Sequence, residues 1–424
     1  MKLLPRIVIV VSLLAWAGCA QEPQFRLNQV EFLKIQYQQT AKSASLAETQ
    51  RQNVADILAG LFGTPNEPYI PYLLGDEDPL HELIELKKLQ RAAGAVRSDR
   101  RGEQVGLYRE HCAHCHGITG DGAGPTAGFL NPYPRDFRLG KFKFKSTKLG
   151  KPPTDDDLSR VIRNGIPGTA MPAFRTLDDD ELAALVDYVK YLAIRGQVEL
   201  RLLAELPGLE ADEPLVDLVW RQQHAADADA AAAEAERQAE YDDQLSLIVE
   251  DILFDVVQRW ETRTPTSVPE PPRAILEEGP ELAALVERGR TLFVGKANCA
   301  QCHGQTGLGD GQTENYDDWT SQWVKGANID PLDPQAYAPF VAAGALPPRA
   351  IRPRNLRFRI YRGGDQVADL YRRISNGIEG TGMPDASALA EDEVWALVAF
   401  VLNLPYETVG TEGIHSSPSG PQQP

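Results

Sequence analysis

The pattern Cys-x-x-Cys-His occurs twice in this chain of 424 residues and constrains its fold more than any other feature. Its first copy starts at Cys112 and its second at Cys299. Two thiols three positions apart lie on one side of a helical turn, and an imidazole follows directly. Each copy therefore predicts a short helical turn whose sulfur and nitrogen atoms face one common group.

This spacing is the attachment signature of c-type haem, in which the thiols bind the porphyrin covalently and the histidine binds the iron. A zinc ribbon would hold its two Cys-x-x-Cys halves close together in sequence, which these are not. A thioredoxin-like redox pair needs a strand–helix–strand context, and neither copy has one. The sequence predicts two covalent haem c groups, attached at Cys112, Cys115, Cys299 and Cys302, with His116 and His303 on the irons.

The two internal methionines repeat in the same way. Met171 ends the segment Asn-Gly-Ile-Pro-Gly-Thr-Ala-Met before a proline, and Met383 ends Asn-Gly-Ile-Glu-Gly-Thr-Gly-Met before another. A methionine that merely fills a core has no reason to recur on a glycine-rich loop. Glycines allow a backbone to approach a bound group closely, so both methionines are predicted as the second axial ligands of iron.

Each copy also follows the same plan. A helix leads into the motif at 103–111 and 281–293, and an amphipathic helix closes each copy at 178–193 and 391–404. Between them lie a glycine-rich loop, a Pro-Arg segment and the methionine loop. The chain thus resembles two class I c-type cytochromes in tandem, each with Met as the distal ligand.

The resemblance implies a mainly α fold in which the first and last helices of each copy cross and the haem occupies a pocket. It also implies a proline carbonyl that orients the ligand histidine, and Pro125 is the candidate in the first copy. The second copy has no proline at that place. We further expect Arg135 and Arg354 to pair with haem propionates.

The rest of the chain is divided around these copies. We predict two cytochrome c-like helical domains joined by a helical spacer, preceded by a helical N-terminal region. Extra residues in the second domain, between about 315 and 350, have the composition of a loop. The divisions are 1–19 for a signal peptide, 20–98 for the N-terminal region, 99–196 for the first domain, 197–279 for the spacer with a Pro-rich linker, 280–405 for the second domain and 406–424 for a disordered tail.

The N-terminus resembles a bacterial lipoprotein signal. Lys2 and Arg6 precede an apolar run at 7–17 that is shorter than the roughly 20 residues of a membrane span. Cys19 follows two small residues and would carry the lipid, although an uncleaved signal anchor is the alternative. Either reading predicts a periplasmic, membrane-anchored protein. The formal net charge of −17 argues against a nucleic-acid partner.

A haem with both axial positions filled has no vacancy for a substrate, so the sequence predicts an electron carrier and not an enzyme. Its partners would be redox proteins or a respiratory complex outside the bacterial cytoplasmic membrane, and no small-molecule substrate is evident. A diheme peroxidase is one alternative and requires the loss of a distal ligand. A haem-bearing scaffold subunit is the other. The basic stretches at 134–151 and 349–362 would be solvated faces or docking sites for an acidic partner.

Overall fold

The computed structural model describes residues 22–39, 48–72, 78–210, 213–218, 233–311 and 315–407. The predicted signal peptide with Cys19 lies outside the described residues, as do residues 408–424 of the predicted tail. None of the helices in the described ranges is both long enough and apolar enough to cross a membrane.

The first part of the chain is helical, with one pair of very short antiparallel strands, β1 (Arg97–Ser98) and β2 (Gln104–Val105). Its 3₁₀ turns are Ala127–Phe129, Phe137–Leu139 and Leu206–Gly208. Its helices are α1 (Gln29–Gln39), α2 (Glu48–Phe62), α3 (Pro79–Leu83), α4 (Leu86–Ala92), α5 (Leu107–His111), α6 (Ala113–His116), α7 (Asp155–Asn164) and α8 (Asp179–Glu205).

Helix α8 organises this part of the molecule. It begins at a capping box in which Asp178 and Glu181 satisfy each other's backbone N–H groups. The sequence placed its end near residue 193, but it continues to Glu205 because Val198, Leu202 and Leu203 are fully buried. Helices α1 to α4 share the hydrophobic core with it. The N-terminal region and the first domain therefore form one packed unit.

The spacer returns to the same core. Helix α9 (Ala233–Ser246), a π-helical segment (Leu247–Leu253) and α10 (Phe254–Glu261) follow one another in the chain. Ile252, Val257 and Trp260 are buried in the core that contains α8. Residues 219–232 of the predicted helical spacer lie outside the described residues.

The second domain begins after the Pro-rich linker. Strands β3 (Asn315–Tyr316) and β4 (Ala350–Ile351) pair antiparallel, and 3₁₀ turns lie at Leu356–Phe358 and Leu404–Tyr406. Its helices are α11 (Arg273–Leu276), α12 (Pro280–Val294), α13 (Ala300–His303), α14 (Asp318–Ala327), α15 (Pro334–Ala342), α16 (Val367–Asn376) and α17 (Glu391–Asn403).

The extra segment of this domain is not the simple loop that its composition suggested. It contains α14 and α15, because Trp323 stacks on Phe340 with ring centroids 4.8 Å apart and both side chains are buried. Val30 and Leu33 of α1 pack against this small core. The insertion therefore connects the second domain to the N-terminal region.

Helices α12 and α17 pack closely together, as the resemblance implied for the first and last helices. Gly289 allows this contact, because a Cβ atom there would overlap the carbonyl oxygen of Ala396. We expect Gly289→Ala to lower the free energy of unfolding by about 1–3 kcal/mol, as overpacked substitutions do. Denaturant unfolding of the purified protein measures this loss.

Gly60 in α2 serves as the control, since a Cβ atom there would meet nothing within 4 Å. Gly60→Ala should stabilise the protein by up to about 1 kcal/mol through helix propensity. Equal behaviour of the two alanine variants would contradict the proposed close contact.

Candidate haem-binding sites

The first Cys-x-x-Cys-His copy lies at the junction of α5 and α6. The His116 ring stacks on Phe137, with centroids 4.5 Å apart. Its Nδ1 lies 3.0 Å from the backbone carbonyl oxygen of Arg135. Such a bond makes Nδ1 the protonated nitrogen and leaves Nε2 free to bind a metal. Burial lowers the pKa of His116 to about 4, which keeps the ring in the neutral form that a ligand requires.

A large cavity of about 1320 Å³, including its part open to solvent, adjoins this ring. Cys112, Cys115 and His116 line it together with Met171. Apolar side chains make up most of its remaining wall, among them Phe142, Leu158, Ile162 and Val189. Two thiols, an imidazole, a thioether and apolar walls are what a covalently attached haem requires, so the cavity fits haem c.

The state of the thiols argues against a redox pair. Burial raises the pKa of Cys112 to about 12 and that of Cys299 to about 11. Reactive dithiols have lowered pKa values, because the thiolate is the nucleophile. Both cysteines are therefore poor candidates for thiol–disulfide exchange.

The methionine loop of the first domain is held by its own hydrogen bonds. The Thr169 hydroxyl donates to the carbonyl of Ile166 at 2.8 Å and accepts from the backbone N–H of Met171 at 3.2 Å. Gly165 has a φ of +65°, and a Cβ atom there would lie 2.6 Å from the carbonyl oxygen of Pro172. The threonine and the glycine thus set the path of the backbone at Met171.

The second domain repeats these contacts. His303 Nδ1 lies 3.1 Å from the carbonyl oxygen of Arg354, and burial lowers the pKa of His303. Thr381 donates to Ile378 at 2.7 Å and accepts from Met383 N–H at 3.1 Å. The two sites are therefore built alike, down to the carbonyl that orients each histidine.

The sequence predicted the Pro125 carbonyl as the group that orients His116, and this prediction is wrong. Pro125 is exposed, and the oxygen facing His116 belongs to Arg135. The Pro-Arg segment reaches the histidine because a Cβ atom at Gly122 would lie 2.8 Å from the Pro134 carbonyl. Gly309 permits the same approach in the second domain. The repeated Pro-Arg pair was the sequence signal for this role.

The side chains of the two arginines extend towards the opposite domain. The Arg135 guanidinium pairs with Asp318 of the second domain. A Cβ atom at Gly168, in the loop of Met171, would lie 2.9 Å from Arg354 Nη2. Arg135 thus has a carboxylate partner within the chain, and its bond to a propionate stays a prediction, as does that of Arg354.

The insertion of the second domain packs on the rim of the first cavity. Trp319 Nε1 donates to the carbonyl of Pro134 at 3.1 Å, and Tyr133 donates to that of Pro347 at 3.1 Å. The Arg349 guanidinium lies 3.6 Å from the centre of the Tyr133 ring. Because Tyr133 and Pro134 line the cavity, the insertion covers part of the first site.

The basic stretches are only partly the outward faces that the sequence suggested, since Arg352 and Lys151 are exposed whereas other members face inward. Lys145 is buried and pairs with Glu379 of the second domain, and Lys143 lines the first cavity. The apolar side chains of Phe358 and Ile360, within the second stretch, are exposed. Arg359 has a positive φ of +54° after a 3₁₀ turn, so the backbone at this point of the stretch is not extended.

Two family models match the chain. The cytochrome c oxidase, cbb3-type, subunit III model matches residues 99–189, and the cytochrome c model matches residues 286–405. The chain contains two cytochrome c-type domains. Each matched range includes one complete Cys-x-x-Cys-His motif and its methionine loop, so the domains point to covalently bound haem c and to electron transfer by a haem protein.

No curated protein matches the sequence. One solved structure, a chain of the Kuenenia stuttgartiensis reducing HAO-like protein complex Kustc0457/Kustc0458, aligns with a TM-score of 0.45 and 23% identity. The alignment covers 73% of this chain and 99% of that one. Similarity at this level is too low to indicate a shared function.

The turn that presents the Arg135 carbonyl is held by a buried ion pair. Asp136 accepts two bonds from the Arg138 guanidinium, at 2.9 and 3.0 Å, and the residues are 3% and 5% exposed. We expect Asp136→Asn to lower the free energy of unfolding by about 3–5 kcal/mol, because it leaves a buried charge unpaired. Denaturant unfolding followed by haem absorbance measures the loss.

The second domain supplies the control. Asn355 occupies the matching place, and Arg357 there donates to the backbone carbonyls of Thr306, Leu404 and Glu407 instead. Asn355→Ala removes no charge partner and should cost far less. Similar losses in the two variants would mean that the ion pair is not what holds the turn.

Proposed function

We propose that this protein is a diheme electron carrier with two six-coordinate His/Met haems. It would transfer electrons between redox protein partners outside the bacterial cytoplasmic membrane, either free or as a subunit of a respiratory complex. The observation that carries the proposal is the shared lining of one cavity by His116 and Met171, with the histidine held by a backbone carbonyl. The matching hydrogen bonds at His303 and Met383 extend it to the second domain.

When bound, haem c supplies one-electron oxidation and reduction. The chain's own residues set the conditions for this chemistry. The carbonyls of Arg135 and Arg354 orient the imidazoles, and the threonine-bonded loops present the methionines. A His/Met pair stabilises the ferrous state, and an apolar pocket disfavours the extra charge of the ferric state. Both effects favour a high potential, as suits a carrier.

The packing of the domains supports transfer within the chain. The backbone carbonyl of Arg354 accepts a hydrogen bond from His303 in the second domain. The guanidinium of the same arginine lies beside the loop of Met171 in the first domain. Arg160 of α7 pairs with Asp369 of α16 at 3.0 Å, and Asn376 donates to the carbonyl of Ser146 at 3.2 Å. These contacts hold the two sites at one separation, which favours a relay over two independent carriers.

The function is tested with the purified holoprotein and two ligand variants. Wild type should carry two haems, show two His/Met redox transitions and bind neither carbon monoxide nor peroxide. Met171→Ala and Met383→Ala should each lower one potential, within the roughly 0.8 V range that axial ligands control. Each should also open one iron to carbon monoxide.

Optical redox titration and carbon monoxide difference spectra report these outcomes. Leu130→Ala is the matched control for the first site, because Leu130 lines the same cavity without a ligand atom. Peroxide turnover by wild type would favour the diheme peroxidase. Co-purification of other subunits with no exchange of electrons would favour the scaffold.

Membrane attachment is proposed to occur through lipid on Cys19. Cys19→Ala should move the protein from the membrane fraction to the soluble periplasmic fraction and leave its two-haem spectrum unchanged. Fractionation and labelling with a radioactive fatty acid measure this. Retention of the variant in the membrane, with no label in wild type, would indicate the uncleaved signal anchor.

A further inference from the structure

Four cations gather where the two domains meet. Arg135 and Lys143 come from the first domain, and Arg354 and Arg362 occupy the matching places of the second. Lys143 lies close enough to four charged side chains for them to shift its pKa, namely Arg135, Arg362, Asp317 and Asp318. The charge of Arg354 shifts the pKa of Arg362 in the same way. Within this group the positive charges outnumber the negative charges by two.

The excess charge is poorly satisfied by the chain itself. Among the residues that the structure describes, the buried atoms Arg362 Nε and Arg354 Nη2 have no hydrogen-bond partner, and Arg362 Nη2 donates to the Gly168 carbonyl at 3.3 Å. Burial lowers the pKa of Arg362 to about 10 and that of Lys143 to about 7. The four side chains are half-buried, and partly desolvated cations without anions are costly, so the cluster favours negative partners.

The position of the cluster identifies those partners. Arg362 lines the cavity of the first domain, although it belongs to the second, and Arg135 and Lys143 line the same cavity. A haem presents two propionate carboxylates on one edge of an otherwise apolar ring. Two negative charges match the excess, and a guanidinium fork suits a carboxylate.

We propose that Arg362, contributed by the second domain, binds a propionate carboxylate of the haem attached at Cys112 and Cys115. Lys143 faces the same edge from the first domain. This rests on the proposed diheme function and extends it, because the first haem site is then complete only when the second domain is docked. The potential of one haem thereby depends on the other domain.

The proposal determines how charge removal affects that potential. A cation beside the propionates favours the added electron and keeps the carboxylate ionised. Without it, the buried carboxylate acquires a raised pKa and titrates in an accessible range. Its ionisation then adds negative charge as the pH rises, which favours the ferric state. The potential should therefore fall as the pH rises.

The test is an optical redox titration of full-length holoprotein between about pH 5 and pH 9, where such a carboxylate titrates. Met171→His in a parallel sample identifies the first haem, since loss of the methionine lowers only that potential. Arg362→Gln should lower the reduction equilibrium constant of the first haem at least tenfold, about 59 mV for one electron. It should also make that potential pH-dependent and leave the second haem unchanged.

Two further variants complete the design. Arg352→Gln removes an exposed cation of the same basic stretch and should change neither potential. Arg362→Lys keeps the charge, so it should largely preserve the potential and its weak pH dependence, even if the glutamine variant fails to fold.

Each other outcome is informative. Unchanged potentials in Arg362→Gln overturn the proposal, as does a change confined to the second haem, which would assign Arg362 to its own domain. The proposal is also overturned if Arg362→Gln does not fold and Arg362→Lys lowers the first potential as far as Met171→His does. Wild type without two haem transitions refutes the diheme function itself, which is a separate result.

Discussion

The hydrogen bond between each ligand histidine and a backbone carbonyl is the interaction on which the rest of the structure depends. It sets the tautomer of His116 and His303 and therefore which nitrogen can bind iron. The carbonyl reaches the ring only because a glycine, Gly122 or Gly309, lets the Pro-Arg segment approach. The arginine that supplies the carbonyl extends its side chain to the other domain, so one residue serves both the site and the interface.

The two domains keep this site alike and differ in what surrounds it. The first is covered by the N-terminal helices and by the end of the spacer, which share a core with α8. The second domain carries α14 and α15 on its insertion. That insertion packs on α1 and on the rim of the first cavity. The copies thus differ mainly in the segments around their sites, while the hydrogen bonds of the ligand histidines and of the methionine loops are the same in both.

Several basic residues also lie where the two domains meet. The acidic chain places several of its basic residues at the domain junction and not on an outer face, as Lys145 paired with Glu379 illustrates. A half-buried cation such as Arg362 is costly alone and favourable beside an anionic edge. The junction is therefore where binding of a prosthetic group and docking of domains become linked.

The sequence alone determined the features that need only local order. The cysteine spacing, the repeated methionine loops and the helices that flank them predicted two cytochrome c-type domains, because each is a short segment with its own chemistry. Tertiary structure alone decided which carbonyl orients each histidine, where α8 ends and what the insertion covers. Pro125, Arg135 and the basic stretches show why, because each of these roles is set by contacts between residues far apart in sequence. The repeated Pro-Arg pair marks a shared segment, but only the fold shows that its carbonyl faces the histidine.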